Sequence, residues 1–234
     1  MELQCEPNLL TGMHPNFYKS LPHSEASWKD PFDPKSTKEE DFFVDATTTV
    51  KVKMMYQVRY HRYLRDEELS CWVVAKPYEG NTISFFILPD EGKMQQVENG
   101  LVKKRLTKWF TSFQLECIQL YMPKFYFYAS YDVKTSMQKL GVTLVFSGDA
   151  DLSGISGQPN LKVSKAVHKT VVDVHENGTE AAAVNTPQII PTSLVNPSLV
   201  IIKFNRPFLC VIIDTATNSI LQILKVMNPS EIYT

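Results

Sequence analysis

The amino-acid sequence predicts a strand-dominated α+β fold with mixed sheets and a few helices. Runs of β-branched and aromatic residues recur along most of the 234 residues, and only short segments change to helical spacing. The chain is 44% hydrophobic and 21% charged, which is enough apolar content for a sizeable core. Neither an internal repeat nor a change in composition indicates a boundary between two domains.

The first half of the chain divides into strands and one helical region. Residues 1–26 are polar, contain proline and have no period, so we expect an irregular segment. The predicted elements that follow are strands at 47–55 and 58–63, a turn at 65–68, a buried hairpin of 70–75 with 82–88, and one or two helices over 91–113 broken near Asn99 and Gly100.

The second half returns to strands. Residues 115–128 are strand-like with an interruption at Pro123, and Asp132 is a candidate N-cap for a short helix that stops at Gly141. The remaining predicted strands are 163–174, 199–204, 208–214 and 219–226, the last two joined by a hairpin turn.

Composition and motifs exclude several classes of function. A net charge of -1 gives no general attraction to nucleic acid or acidic membranes, and no apolar run reaches the roughly 20 residues that cross a bilayer. The four cysteines show no zinc spacing, and we expect free buried thiols, no metal and no cofactor. No Gly-x-Ser-x-Gly elbow or phosphate-binding loop is present, so we do not expect an enzyme.

A run of small residues near the C-terminal end is the most informative feature. Residues 178–183 read Gly-Thr-Glu-Ala-Ala-Ala, and a polar, proline-containing stretch leads from them to residues 204–209, Phe-Asn-Arg-Pro-Phe-Leu. Small side chains allow a segment to slide between existing strands, so this run is either a loose loop or a strand that forms later.

Nine segments in order make the chain similar to one family. Residues 27–231 resemble the C-terminal half of a serpin of the antitrypsin/antichymotrypsin-like group. The matching segments are 28–32, 39–42, 50–55, 86–90, 122–125, 150–155, 163–169, 204–209 and 226–229.

The resemblance implies a three-sheet α+β serpin fold, secretion, and inhibition of serine proteases by a suicide mechanism. In that mechanism the protease attacks an exposed reactive loop, which then inserts as a new strand and carries the acyl-enzyme with it. We expect a partial serpin domain over residues 27–234 with its reactive loop at about 178–199, and residues 1–26 as a non-family segment. The resemblance then implies an N-terminally truncated serpin, either a splice product or the result of an incomplete gene model.

Alignment on the family places the loop residues. The hinge is Gly178, Thr179, Glu180, Ala181, Ala182 and Ala183, and the attacked bond lies between Thr192 and Ser193. Thr192 suits neither a trypsin-like nor a chymotrypsin-like pocket, whereas an elastase-like pocket accepts it. The expected partner is a serine protease, elastase- or chymotrypsin-like.

Other features of the same region oppose insertion. Pro187 removes a ladder hydrogen bond from any strand that includes it. Asn177 opens an Asn-Gly-Thr sequon, so it is a candidate glycosylation site, and a glycan there opposes burial of the hinge. Trp28 and His168 match the region where the central sheet of the family opens.

The expected upstream neighbour of the inserted strand is not recognisable in residues 1–26. We therefore expect that this chain alone cannot trap a protease. We expect a monomer that binds neither nucleic acid nor membrane. Its location is extracellular by resemblance, although residues 1–20 do not look like a secretory signal.

A non-inhibitory alternative stays open at this point. Some relatives carry hormones in a pocket between a helix and a barrel-like sheet, and the matching parts of this chain are residues 91–110, 70–88 and 208–226. Trp109, Phe110 and Phe113 are available to line such a pocket, although core packing is the commoner use of such residues.

Overall fold

The computed structural model describes residues 2–4, 26–157, 162–179 and 199–231. In chain order its elements are β1 (Glu2–Gln4), β2 (Ala26–Ser27), β3 (Lys38–Phe43), β4 (Thr49–Asp66), β5 (Cys71–Pro77), β6 (Thr82–Pro89), α1 (Met94–Gly100), α2 (Lys103–Ser112), β7 (Gln114–Pro123), β8 (Phe125–Asp132), α3 (Val133–Lys139), α4 (Ser153–Ser156), β9 (Lys165–His175), β10 (Gly178–Thr179), β11 (Ile201–Lys203), β12 (Phe208–Asp214) and β13 (Ser219–Val226).

The described residues pack as two units, although no boundary was expected. The larger unit contains residues 26–126, 173–179 and 199–231, and the smaller one contains residues 2–4, 127–157 and 162–172. The divisions fall inside the continuous strands β8 and β9. No linker composition marks such a division, which is why the sequence pattern did not reveal it.

An eight-stranded sheet forms most of the larger unit. Its order is β11-β7-β4-β5-β6-β12-β13, and β3 pairs with β4. The two strands expected over residues 47–63 are one strand, β4, of 18 residues. No glycine or proline interrupts this stretch, and three other strands pair along it, so the ladder continues through it.

Helices α1 and α2 cover one face of this sheet. They bury Val97, Leu106 and Trp109 against alternate residues of β5, β6 and β12. The break between them lies at Leu101 and Val102, next to its expected position near Asn99 and Gly100. A side chain at Gly100 would collide with the end of the Leu69 side chain, so Leu69 would have to shift to accommodate any larger residue there.

The other face of the sheet carries an aromatic core. Phe86 packs with Phe204 and Phe208 at centroid distances of 6.0 and 6.4 Å, and Trp28 lies 6.1 Å from Phe86. These contacts exclude water from the inner strands β5 and β6, as the predicted buried hairpin requires. The described cysteines, Cys71, Cys117 and Cys210, are free thiols, and burial raises the pKa of Cys71 and Cys210 to about 12.

The smaller unit is a sheet with a short helix. β8 and β1 both pair with β9, and the three residues of β1 lie opposite Lys165–Val167 in antiparallel register. Helix α3 begins as predicted at Asp132, whose side chain accepts a hydrogen bond from the Lys134 amide at 3.0 Å. A small cluster of Phe146, Val163 and Ala166 forms its core.

The N-terminal expectation differs from the structure at four positions, residues 2–4 and 26. Residues 2–4 form β1, and Ala26 with Ser27 forms β2, where an irregular segment was expected up to residue 26. Both strands are too short for a period, so only pairing with distant strands defines them. Residues 5–25 lie outside the described part. Among the described residues, no helix has the length and apolar character to span a bilayer.

Candidate functional site

A tight turn starts the predicted loop hinge. β9 ends at His175, Glu176 and Asn177 form the turn, and β10 begins at Gly178. The Asn177 amide nitrogen donates to His175 Nδ1 at 3.3 Å, which closes the turn on itself. We call residues 175–178 the hinge turn.

The two residues of β10 are paired along both edges. The register pairs are Gly178 with His175 and with Ser27, and Thr179 with Val174 and with Ala26. β10 is thus a central strand between β9 and β2, antiparallel to each. The upstream neighbour that was not expected from the sequence is present here as the two residues of β2.

The backbone at Gly178 requires glycine. Its φ is 145°, a backbone angle that L-residues other than glycine rarely adopt, and the residue is buried. We expect Gly178→Ala to lower the free energy of unfolding by about 1–3 kcal/mol because of this strain.

Urea unfolding measures this loss, with Gly148→Ala as the control. A side chain at Gly148 meets no atom within 4 Å, so the control should match the wild type. Equal midpoints for both variants and the wild type would contradict the strained turn.

Trp28 holds the hinge turn through two hydrogen bonds. Its backbone nitrogen donates to the Asn177 carbonyl at 2.8 Å, and its indole Nε1 donates to the His175 carbonyl at 3.0 Å. The ring is 2% exposed and stacks on Tyr78, with centroids 4.1 Å apart and an interplanar angle of 18°. Trp28 therefore ties the turn to the aromatic core.

The Glu176 side chain holds the turn from another direction. Its carboxylate accepts hydrogen bonds from Thr37 Oγ1 and Lys124 Nζ, both at 2.8 Å, and its carbonyl accepts one from the Phe32 amide at 2.9 Å. Burial raises the pKa of this carboxyl group, but the hydrogen bonds from Lys124 and Thr37 outweigh it, and the net pKa is lowered.

A lowered folded-state pKa makes Glu176 a source of acid sensitivity. Its stabilising contribution is present above the ordinary pKa and is lost as the pH falls through the folded-state pKa. We expect Glu176→Gln to cost about 1.5–3 kcal/mol at pH 7, since it weakens charged hydrogen bonds.

The variant should also lose less stability on acidification than the wild type, measured by urea unfolding between pH 7 and pH 3. Glu67→Gln is the control, because the Glu67 side chain is 80% exposed. A parallel acid profile in Glu176→Gln and the wild type would rule out this role.

A buried lysine lies beneath the Trp28 segment, which we define as residues 28–32. Lys76 in β5 is 0% exposed, and its Nζ donates to the Asp30 carbonyl at 2.6 Å. The Nζ atom lies 5.0 Å from the ring centroid of Trp28 and 4.3 Å from that of Phe32. Burial lowers the pKa of Lys76 to about 7, with Arg59 adding to the shift and Asp30 opposing it.

The structure brings some of the predicted site residues together. Trp28, Asn177, Gly178 and the backbone of Thr179 form one assembly around the hinge turn. The backbone of His168 lies in β9 within the smaller unit, and its side chain is outside the described part. The predicted residues Glu180, Ala181, Ala182, Ala183, Thr192 and Ser193 also lie outside the described residues.

Sequence reasoning missed four residues that contact this assembly: Glu176, Lys124, Thr37 and Lys76. Glu176 and Thr37 lie outside the segments that resemble the family, whereas Lys124 lies in the matching segment 122–125; only the folded chain brings all three to the turn. Lys76 carried one usable signal, because it interrupts an apolar strand pattern at a position that faces the core.

Comparison with known proteins identifies the family. The family described as Serpin (serine protease inhibitor) matches residues 22–229. The chain is 46% identical over 206 residues to human plasma serine protease inhibitor and 43% identical over 209 residues to alpha-1-antichymotrypsin from Pongo abelii. It covers 50% and 49% of these two proteins, and each match covers 88% of this chain.

Solved structures agree with this family. The crystal structure of human thyroxine-binding globulin with thyroxine has a TM-score of 0.80 and 39% identity, over 88% of this chain and 54% of that one. Human glycosylated kallistatin has a TM-score of 0.75 and 41% identity, over 87% and 53%. The chain belongs to the serpin family, in agreement with the resemblance to the antitrypsin/antichymotrypsin-like group. It spans about half the length of the curated relatives it matches.

Proposed function

We propose that this chain is the loop-bearing part of a serpin that inhibits a serine protease in the extracellular space. One observation carries the proposal: Gly178 and Thr179 are already paired as a central strand between β9 and β2. This is the geometry from which a cleaved loop can continue, residue by residue, along the edge of β9. Pairing on both edges satisfies the donors and acceptors of the inserting backbone.

The lengths of the two flanking strands set what the chain can do alone. β9 has 11 residues, whereas β2 has two. A loop that extended β10 along β9 would find an upstream partner only at its first two residues, among those described. We therefore propose that the 234-residue chain by itself is cleaved as a substrate, and that trapping requires a longer upstream strand.

The loop residues support a target class. We propose that the protease cleaves between Thr192 and Ser193, and that an elastase-like enzyme is preferred over a chymotrypsin-like one because Thr192 has a small side chain. In this proposal the protease supplies the catalytic residues, and the chain itself is not an enzyme. Asn177 is the proposed glycan acceptor, and its turn is held by Trp28 and by its own bond to His175.

A two-armed protease experiment tests the proposal. The first arm incubates the 234-residue chain with elastase and with chymotrypsin. The second arm does the same with a chimera, in which the upstream half of human plasma serine protease inhibitor is joined before Ser27. We expect the 234-residue chain to be cut after Thr192 without forming an SDS-stable complex. We expect the chimera to form such a complex. Mass spectrometry locates the cut, and gel electrophoresis detects the complex.

Variants of the chimera make the result specific. Thr192→Arg should transfer complex formation from elastase to trypsin, because a trypsin-like pocket requires a basic residue. Ala181→Arg should convert the chimera into a substrate, because a bulky charge at the hinge stalls insertion. The proposal would be overturned by an SDS-stable complex with the 234-residue chain, or by cleavage at a bond other than Thr192–Ser193.

A second candidate function is carriage of a hydrophobic hormone-type ligand. One observation favours it, namely the likeness to the thyroxine complex of thyroxine-binding globulin. Against it, Trp109, Phe110 and Phe113 pack on Phe85 at centroid distances of 6.4, 4.8 and 5.1 Å, so they fill the core. A fluorescence titration with thyroxine and with a steroid distinguishes the two functions: a flat curve removes the carrier.

A further inference from the structure

Lys76 is the one fully buried cation among the described residues of the larger unit. Within this part of the chain, no carboxylate forms an ion pair with it, because the Asp30 carboxylate pairs with Arg59 at 3.0 Å. A buried ammonium without a counter-ion is costly, so an apolar side chain would fill the same volume more favourably. What the lysine provides, and an apolar side chain would not, is a directional hydrogen bond and cation–π contacts.

Among the described residues, the hydrogen bond and the ring contacts of the Lys76 Nζ atom all go to the Trp28 segment. The Nζ atom bonds the Asp30 carbonyl and faces the rings of Trp28 and Phe32, so a single cation contacts three residues of five. A cation over an aromatic face is attracted by the quadrupole of the ring, and more strongly when water is absent. These contacts fix the segment's position above β5.

The Trp28 segment in turn fixes the hinge turn. The backbone nitrogens of Trp28 and Phe32, at the two ends of the segment, donate to the carbonyls of Asn177 and Glu176. A continuous chain of contacts thus leads from the Lys76 ammonium to the turn where the loop departs.

We propose that Lys76 is a positioning residue for the loop hinge, which it holds through Trp28 and Phe32 while its amine is protonated. The proposal deepens the proposed function, on which its biological meaning rests. Lys76 does not contact the reacting bond. It sets how firmly the turn is held before the loop moves.

Charged side chains on the neighbouring elements influence whether the Lys76 amine is protonated. Arg59 and His61 of β4 and the Asp30 carboxylate interact electrostatically with Lys76, and the Asp30 carbonyl accepts its hydrogen bond. The His61 Nε2 atom is buried without a hydrogen-bond partner, and burial with its cationic neighbours lowers the pKa of His61 to about 3, so this imidazole stays neutral. Arg59 is then the neighbour that opposes the Lys76 proton, and Asp30 favours it.

Hydrogen exchange of the full chain, resolved by mass spectrometry, tests the proposal. The reporters are the Trp28 and Phe32 amides, and the references are amides of β5 and β6. In the wild type, after correction for intrinsic exchange, protection of the reporters should fall about tenfold between pH 6 and pH 8.5. In Lys76→Met, the reporters should exchange about tenfold faster than in the wild type at pH 6 and should show no pH midpoint, while the references exchange no faster than in the wild type.

Two further variants separate positioning from general damage. Lys29→Met removes an exposed lysine next to Trp28 and should leave all rates unchanged. Arg59→Gln removes the opposing charge and should move the wild-type midpoint to higher pH, a result that does not depend on Lys76→Met folding.

The inference is overturned by unchanged reporter rates in Lys76→Met, by equal acceleration of reporters and references, or by a midpoint that Arg59→Gln does not move. None of these readouts uses a protease. Failure of the proposed function, seen as absent trapping by the chimera, is therefore distinguishable from failure of the Lys76 inference.

Discussion

Trp28→Ala is expected to lower the free energy of unfolding by about 3–5 kcal/mol, the largest loss of any single change at the hinge. The ring is 2% exposed and packs between Tyr78 and Phe86. The truncation removes this burial and leaves the His175 carbonyl without its indole donor. Urea unfolding measures the loss.

The matched variant is Trp28→Phe, which keeps an aromatic ring for Tyr78 but loses the Nε1 bond and part of the buried ring volume. We expect it to lose less than Trp28→Ala but at least about 1–2 kcal/mol, the range for one hydrogen bond with a buried acceptor left unpaired. Trp28→Ala should also accelerate hydrogen exchange at the hinge turn. A loss below 1 kcal/mol for Trp28→Ala would contradict the packing described for this residue.

Lys76→Met is expected to act in the opposite direction, raising the free energy of unfolding by about 2–3 kcal/mol at pH 7. The folded state lowers the pKa of Lys76 from its ordinary 10.5 to about 7, and each pKa unit corresponds to about 1.4 kcal/mol. This gives an upper limit of about 5 kcal/mol, from which the lost charged hydrogen bond to Asp30 subtracts about 1.5–3 kcal/mol.

The pH dependence of the free energy of unfolding tests independently whether the Lys76 amine destabilises the fold. Between about pH 7 and pH 10.5 the unfolded chain binds the Lys76 proton and the folded chain does not, so stability rises with pH in this window. Lys76→Met should lack this rise, whereas Lys29→Met should keep it. Urea unfolding at a series of pH values measures both, and a rise that persists in Lys76→Met would contradict the burial of this amine. A more stable variant with a less protected hinge would be a signature that general destabilisation cannot produce.

Local patterns predicted the elements that local interactions determine. The hairpin of β5 and β6, the two helices on either side of Leu101, and the Asp132 N-cap of α3 lie within a few residues of their expected positions. In each case apolar spacing, turn residues or a capping side chain specifies the element over a short stretch of chain. Those features do not depend on distant partners.

Pairing between distant segments defined what the patterns missed. β3 reads Lys-Glu-Glu-Asp-Phe-Phe, an acidic stretch without strand character. It is a strand because β4 lies beside it and because Lys51 pairs with Asp41 at 2.7 Å across the ladder. β1 and β2, with three and two residues, exist only through their partners in the same way.

The sequence pointed to residues of the hinge turn itself, but not to the side chains that hold the turn in place. Resemblance to the family led to Trp28, Asn177 and Gly178, which the structure joins in one assembly. Glu176 and Lys76 support that assembly through contacts between distant parts of the chain: Glu176 and Thr37 are 139 residues apart, and Lys76 and Asp30 are 46 residues apart. No period or spacing in a single sequence contains this information.

A disulfide-trapping experiment tests most directly that the hinge is already a central strand. Thr179 lies opposite Ala26 across β10 and β2, and directly opposed Cα atoms in an antiparallel pair are about 4.5–5.5 Å apart, within the range of a disulfide. The pair Ala26→Cys with Thr179→Cys should therefore cross-link, whereas Ala26→Cys with Val174→Cys should not, because β10 separates these two positions. Peptide mapping of the oxidised chain identifies the bond. A cross-link between positions 26 and 174, with free thiols in the first pair, would contradict the account.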